Sequence, residues 1–179
     1  MCKQCESNPV YEFTNKRKLC SSCFVKYFQK KVLYTIRKFK MAHSGDIIGY
    51  KNNGNFRDVV LEDVLKMFAE KANATLTKSS KADKIAISST LDYEADEITH
   101  KLMEENSKMK FAPVVRKTIK SLYLFLDEEI LLYAKIRKLK FKQKKEKKDK
   151  ISSFIDELEE KHPEIKRAIV NGILKVYNK

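Results

Sequence analysis

The chain has four cysteines and no fifth, no long apolar run, and not one acidic residue between Phe24 and Met41. The missing fifth cysteine means that, once the four are committed to one site, no thiol is left for nucleophilic or sulfur-carrying chemistry. No stretch approaches the 18 or more apolar residues of a membrane helix, which excludes a spanning segment and any membrane partnership of that kind. Histidine is scarce: His43, His100 and His162 lie at no ligand spacing from one another or from a cysteine, so each reads as a surface or packing residue. The opening Met1-Cys2-Lys3 leaves no room for a targeting peptide, and the expected location is the cytoplasm, where thiols stay reduced.

What is present begins with those cysteines. Cys2/Cys5 and Cys20/Cys23 form two CxxC pairs separated by fourteen residues. Each CxxC turn presents two thiolates to one ion, and tetrahedral Zn²⁺ needs four, so the spacing predicts a zinc site at Cys2, Cys5, Cys20 and Cys23. A disulfide pair is the alternative for a secreted chain, and a thioredoxin-like redox motif would require a strand before the CxxC, which neither pair has.

The formal charge is +14 over 179 residues, with 42% of them hydrophobic, enough for a modest core. Residues 1–41 and 135–150 each carry ten bases against two acids, so the rest of the chain is close to neutral. Clustered bases on a balanced body suit a polyanionic partner. In the first cluster, Phe24, Tyr27, Phe28, Val32, Ile36 and Phe39 recur at helical steps, with Lys26, Lys30, Lys31, Arg37, Lys38 and Lys40 between them. The periodic aromatics read as core rather than base-stacking groups. Lys30, Lys31, Arg37, Lys38 and Lys40 are the candidates for phosphate contact.

Beyond a break at Ala42–Gly45, Asp46–Tyr50 reads as a buried strand, Lys51–Asp58 as a turn and Val59–Ala72 as a helix. The order repeats with Lys84–Ser88, Ser89-Thr90 and Leu91–Glu105. Such alternation predicts a parallel sheet with helices on its faces, and the first turn lies where α/β proteins hold phosphate at a helix N-terminus. Asp92, Glu94, Asp96 and Glu97 read as the acidic first turns of a helix, as do Glu128-Glu129. Residues 106–118 look irregular, Ile119–Leu124 is a third strand, and Asp127–Leu139 an amphipathic helix. Lys140–Lys150 reads as a mobile basic connection to closing helices at Ile151–Lys161 and Pro163–Tyr177. Three parts follow: residues 1–41 as finger and basic helix, 42–139 as α/β domain, 140–179 as basic linker and C-terminal helices.

The order of these parts resembles the tRNA 2-thiouridine synthetases, adenylating enzymes of the PP-loop ATPase type. The likeness rests on the two-CxxC finger, the basic helix Val32–Met41, the Gly45-Asp46-Ile47-Ile48 strand and Ala86–Ala95, which is similar to the family's GHNLDDEA segment. It also takes in Ile119-Lys120-Ser121-Leu122 before Glu128-Glu129-Ile130 and Tyr133-Ala134. The resemblance implies a reduced PP-loop fold behind the finger. Aligned without a gap, the family's SGGxDS falls on Asn53-Gly54-Asn55-Phe56-Arg57-Asp58, where only Gly54 matches the first glycine. Phe56 and Arg57 add bulk where the loop must be tight, and Asp58 brings a carboxylate to a phosphate-binding turn. The family histidine falls on Ser89 and the second aspartate on Tyr93, leaving Asp92 alone. Active members carry further cysteines for sulfur or an iron–sulfur cluster, and the chain reads as much shorter than they are.

These departures imply a pseudoenzyme, similar to the non-catalytic second subunit of the cytosolic tRNA thiouridylase complex. It would hold zinc, bind tRNA and form a heterodimer with a catalytic PP-loop subunit, with no small-molecule substrate. The competing expectations are a divergent but active ATP-dependent thiouridylase, and a stand-alone zinc-ribbon RNA-binding or scaffold protein.

Overall fold

Residues 1–20 fold around a turn at each cysteine pair and a short antiparallel hairpin, β1 (Tyr11–Glu12) and β2 (Lys18–Leu19), in the computed structural model of the chain. The structure describes residues 1–79, 81–104, 111–143 and 149–177. Helix α1 (Ser21–Lys38) starts three residues earlier than the periodicity predicts. The Cys20 carbonyl accepts the Phe24 amide, so the second CxxC is wound into the first helical turn. The helix ends in a Schellman motif: Lys40 takes a left-handed conformation (φ 49°), the Met41 amide donates to the Ile36 carbonyl, and both flanking side chains are buried.

The α/β body follows as β3 (Ile47–Tyr50), α2 (Phe56–Ala72), β4 (Thr75–Thr77), β5 (Lys84–Ala86), α3 (Leu91–Met103), β6 (Val114–Val115), β7 (Thr118–Ile119) and α4 (Asp127–Ile136). Helices α5 (Lys150–Lys161) and α6 (Ile165–Tyr177) close the chain. The sheet order is β4-β3-β5-β7-β6, parallel except for the edge strand β6. This is the predicted α/β arrangement. Gly49 makes one close approach possible, since a Cβ there would stand 2.8 Å from the Ser79 carbonyl oxygen and 2.9 Å from the Ile85 side chain.

Two cores hold these layers. The larger joins Phe24, Phe28, Val32 and Ile36 of α1 to Val60, Leu61, Val64 and Leu65 of α2 and to Ile130, Tyr133 and Ala134 of α4, over Ile48, Ala86 and Ile119 of the sheet. Residues 1–41 therefore share a core with the α/β body rather than having one of their own. The smaller core packs Leu91, Ala95 and Ile98 of α3 against Phe111, Tyr123, Leu126 and Val170.

Several expectations are corrected. Strands β4 and β6 were not foreseen. The third strand stops at Ile119, and Ser121–Leu124 form a turn, closed by the Tyr123 amide on the Lys120 carbonyl and the Phe125 amide on that of Leu122. Helix α4 ends at Ile136, in a second Schellman motif with Lys138 left-handed. The basic connection begins as an anchored segment, because the Lys142 amide donates to the Gly54 carbonyl at 2.7 Å and Phe141 packs edge-on against Phe56. Its residues 144–148, Glu105 at the expected end of α3 and residues 106–110 of the irregular stretch lie outside the described residues. Asp149 caps α5, and its carboxylate also receives His100 of α3 at 3.0 Å.

Candidate functional site

The four cysteines converge. The Cys5 and Cys20 sulfurs stand 3.3 Å apart, those of Cys23 and Cys5 3.6 Å, and all four lie within 4.8 Å of one another. They are free thiols, far beyond the roughly 2.05 Å of a disulfide bond. A tetrahedral ion with metal–sulfur bonds of about 2.3 Å separates its sulfurs by about 3.8 Å, so this cluster could hold one metal ion. The Ser22 hydroxyl and the Cys23 amide donate to Cys20 and hold its thiol down at about 6. The hydrogen bond of Cys23 to Cys5, with burial, pushes the Cys23 thiol up to about 12. Such a split is what crowding of four sulfurs around one point produces.

The turn after β3 is the second constellation. Asn55 caps α2 and accepts the Asp58 amide at 2.9 Å. The Asp58 carboxylate folds back and receives the Asn53 amide, the Asn53 side-chain amide and that of Asn55, each at 2.9 Å, while the Ser88 hydroxyl donates to its other oxygen. Asp58 is buried. The Gly54 amide donates to the Asn52 side chain, and Gly54 itself sits at φ 82°. A helix N-terminal turn holds phosphate through free amides. Here the amides of Asn53, Gly54 and Asp58 are already taken, by the Asp58 carboxylate and by the Asn52 and Asn55 side chains respectively. Instead of projecting as a repelling charge, Asp58 fills the turn from within, and Lys142 covers its far side. Arg57 is engaged too, its guanidinium forming a two-point ion pair with Asp127 through Nε–Oδ1 at 2.8 Å and a second contact to Oδ2.

The neighbouring loops, after β5 and β7, show the same pattern. Glu94 is 0% exposed and receives Lys120 Nζ at 2.6 Å, together with the Ser89 hydroxyl. Asp92 accepts the Asp127 amide at 2.7 Å and Lys166 Nζ at 2.6 Å, and Lys166 also meets Asp156 and Glu159. Glu129, also fully buried, caps its own helix through the Leu126 amide and pairs with Lys31 at 3.3 Å and Arg167 at 3.5 Å. Glu94 and Glu129 thus stand in the first turns of their helices, as expected, and are in addition buried ion-pair partners. Sequence reasoning missed Lys120, whose Glu94 lies 26 positions away, and the tie of Lys166 to Asp92, 74 positions away. It missed as well a crevice of about 700 Å³ between the β1–β2 hairpin, α1, α5 and α6, where Arg17, Lys31 and Arg167 face Glu128, Asp156 and Glu159.

The basic helix divides. Lys30, Arg37 and Lys38 are exposed on α1, Lys40 is exposed in the turn behind it, and none of the four makes an ion pair among the described residues. Lys31 does not share that face. Its amine lies 4.2 Å from the Phe125 ring centre and against Glu129, and burial lowers it to about 8 despite the carboxylate.

No protein-family model and no curated protein matches this sequence. Among solved structures, the fold is similar to that of the U34-tRNA thiolase NcsA from Methanococcus maripaludis, determined with its [4Fe-4S] cluster. The TM-score is 0.76 over 98% of this chain and 86% of that one, at 18% identity. The similarity establishes the α/β fold. It also corrects the expected shortening, because nearly all of each chain finds its counterpart. No described helix is long and apolar enough to cross a membrane.

Proposed function

We propose that the chain is the non-catalytic subunit of a tRNA wobble-uridine 2-thiolation complex, which binds tRNA and docks a catalytic PP-loop partner as a heterodimer in the cytoplasm. The observation that carries the reading is the turn Asn53–Asp58, where the Asp58 carboxylate takes the Asn53 amide and the Asn53 and Asn55 side chains, Asn52 takes the Gly54 amide, and Lys142 bridges the Gly54 carbonyl. The paired state of Asp92, Glu94, Asp127 and Glu129 supports it, since an adenylating site needs such groups facing its substrate. The exposed cations Lys30, Arg37, Lys38 and Lys40 support the tRNA contact.

We infer zinc at Cys2, Cys5, Cys20 and Cys23. A four-iron cluster places each thiolate on a different iron and holds the sulfurs further apart than one tetrahedral ion does, whereas sulfurs at 3.3 and 3.6 Å suit a single ion. Zinc would supply folding free energy there and no chemistry.

The test is calorimetric titration of the metal-loaded full chain with ATP, beside affinity isolation from the native source. The expected results are no ATP binding, one zinc per chain, and a PP-loop protein with tRNA in the eluate. A second reading, a divergent active thiouridylase, is favoured by the fold shared with a thiolase. Saturable ATP hydrolysis that disappears when Asn53–Asp58 is replaced would establish it in place of the first.

A further inference from the structure

The exposed positions along α1 from its second turn onward are Lys26, Lys30, Tyr34, Arg37 and Lys38. The other aromatics of the helix are turned in: Phe24 and Phe28 are buried, and Tyr27 lies under the Arg17 and Lys31 cations. Tyr34 is 49% exposed. Among the described residues it has no ring partner and no hydrogen-bond partner, and the one cation over its ring is Lys38 Nζ, 5.8 Å from the ring centre. Lys30 and Lys38 stand about one helical turn to either side, about 6 Å along the axis, on stems long enough to reach past the ring. No acid interrupts this surface from Ser21 to Met41.

We propose that this stripe is a platform for unpaired RNA nucleotides, in which Tyr34 stacks one base and Lys30 and Lys38 take the phosphates on either side. The choice of RNA rests on the tRNA-binding reading above. The choice of unpaired nucleotides rests on Tyr34: duplex bases keep their faces inside the helix, so an aromatic ring can stack only on a base that is already free. Four cations without an acid favour a phosphate backbone over an acidic peptide, whose mixed side chains offer nothing regular to a ring flanked by charges.

The test uses the full chain with a short single-stranded RNA carrying one 2-aminopurine, the same RNA annealed into a duplex, and tRNA. Tyr34→Ala should weaken single-strand binding about ten-fold and abolish the quenching of 2-aminopurine fluorescence, leaving the salt slope unchanged. Tyr34→Phe should bind and quench as the parent does. Lys30→Ala and Lys38→Ala should each lower the salt slope by about 0.7 while retaining the quenching. Equal affinity of the parent and Tyr34→Ala chains, equal losses on single strand and duplex, or preference for an acidic peptide would overturn the proposal. Binding of tRNA that ignores Tyr34 would sink the platform and leave the tRNA reading standing. Tyr34-dependent binding of the short RNA without binding of tRNA would do the reverse.

Discussion

Asp58 carries two jobs, its backbone amide donating to the Asn55 cap of α2 and its carboxylate holding the Asn55 side chain and filling the turn in front. A buried carboxylate receiving several amides contributes through each of them, and its removal leaves those donors without an acceptor. Asp58→Ala should therefore cost about 2–4 kcal/mol in chemical denaturation. Added inorganic phosphate should restore part of that in the variant and none in the parent. A variant indifferent to phosphate would mean that the turn does not form an anion-shaped site. Lys31 makes the pH-dependent case. Its ordinary value is 10.5 and the fold lowers it to about 8, so between those values the unfolded chain holds a proton that the native chain has released. Stability should thus rise with pH from about 8 to 10.5, by up to roughly 3 kcal/mol from this group, relative to Lys31→Met. Observation of the lysine side chain by NMR should place its midpoint near 8.

At the scale of elements, the four-cysteine cluster and α1 are one unit, because Cys20 stands at the N-cap of the helix and Cys23 lies in its first turn. Removing the ion with a chelator should release protection of the hairpin amides and of residues 20–24 in hydrogen exchange, while α3 and α6 keep theirs. Unchanged protection at the hairpin would show that the cysteines need no metal. The strong helices α1 to α4 were legible, since their apolar residues keep a 3.6-residue period over ten or more positions. So were β3, β5 and the four-cysteine spacing. Strands β4 and β6 were not, because three and two residues are too few to show alternation, and both lie at sheet edges. The third strand was misplaced for a different reason: Lys120 leaves the ladder to reach Glu94, and nothing local in the sequence marks a lysine as buried.

Across the whole molecule, Lys166 ties α6 to α3 and α5 through Asp92, Asp156 and Glu159. Lys166→Ala would leave three carboxylates facing one another, and breaking such a pair from one side costs about 3–5 kcal/mol. Adding Asp92→Asn to that variant should recover part of the loss, a coupling that urea denaturation of the two chains can measure. Independent, additive losses would show that the contacts do not act as one network. Because Val170 of α6 belongs to the second core, unfolding should begin with α6 in the Lys166→Ala chain.

The Asp58 carboxylate also differs from any dissolved anion in one respect: it cannot be diluted. Tethered three residues from the Asn55 cap, its local concentration is fixed by chain geometry, not by the surrounding solution. The shape of that turn should accordingly stay the same in a starved cell and a well-fed one, so that any RNA or protein docked beside it meets a surface indifferent to the cell's supply of nucleotide.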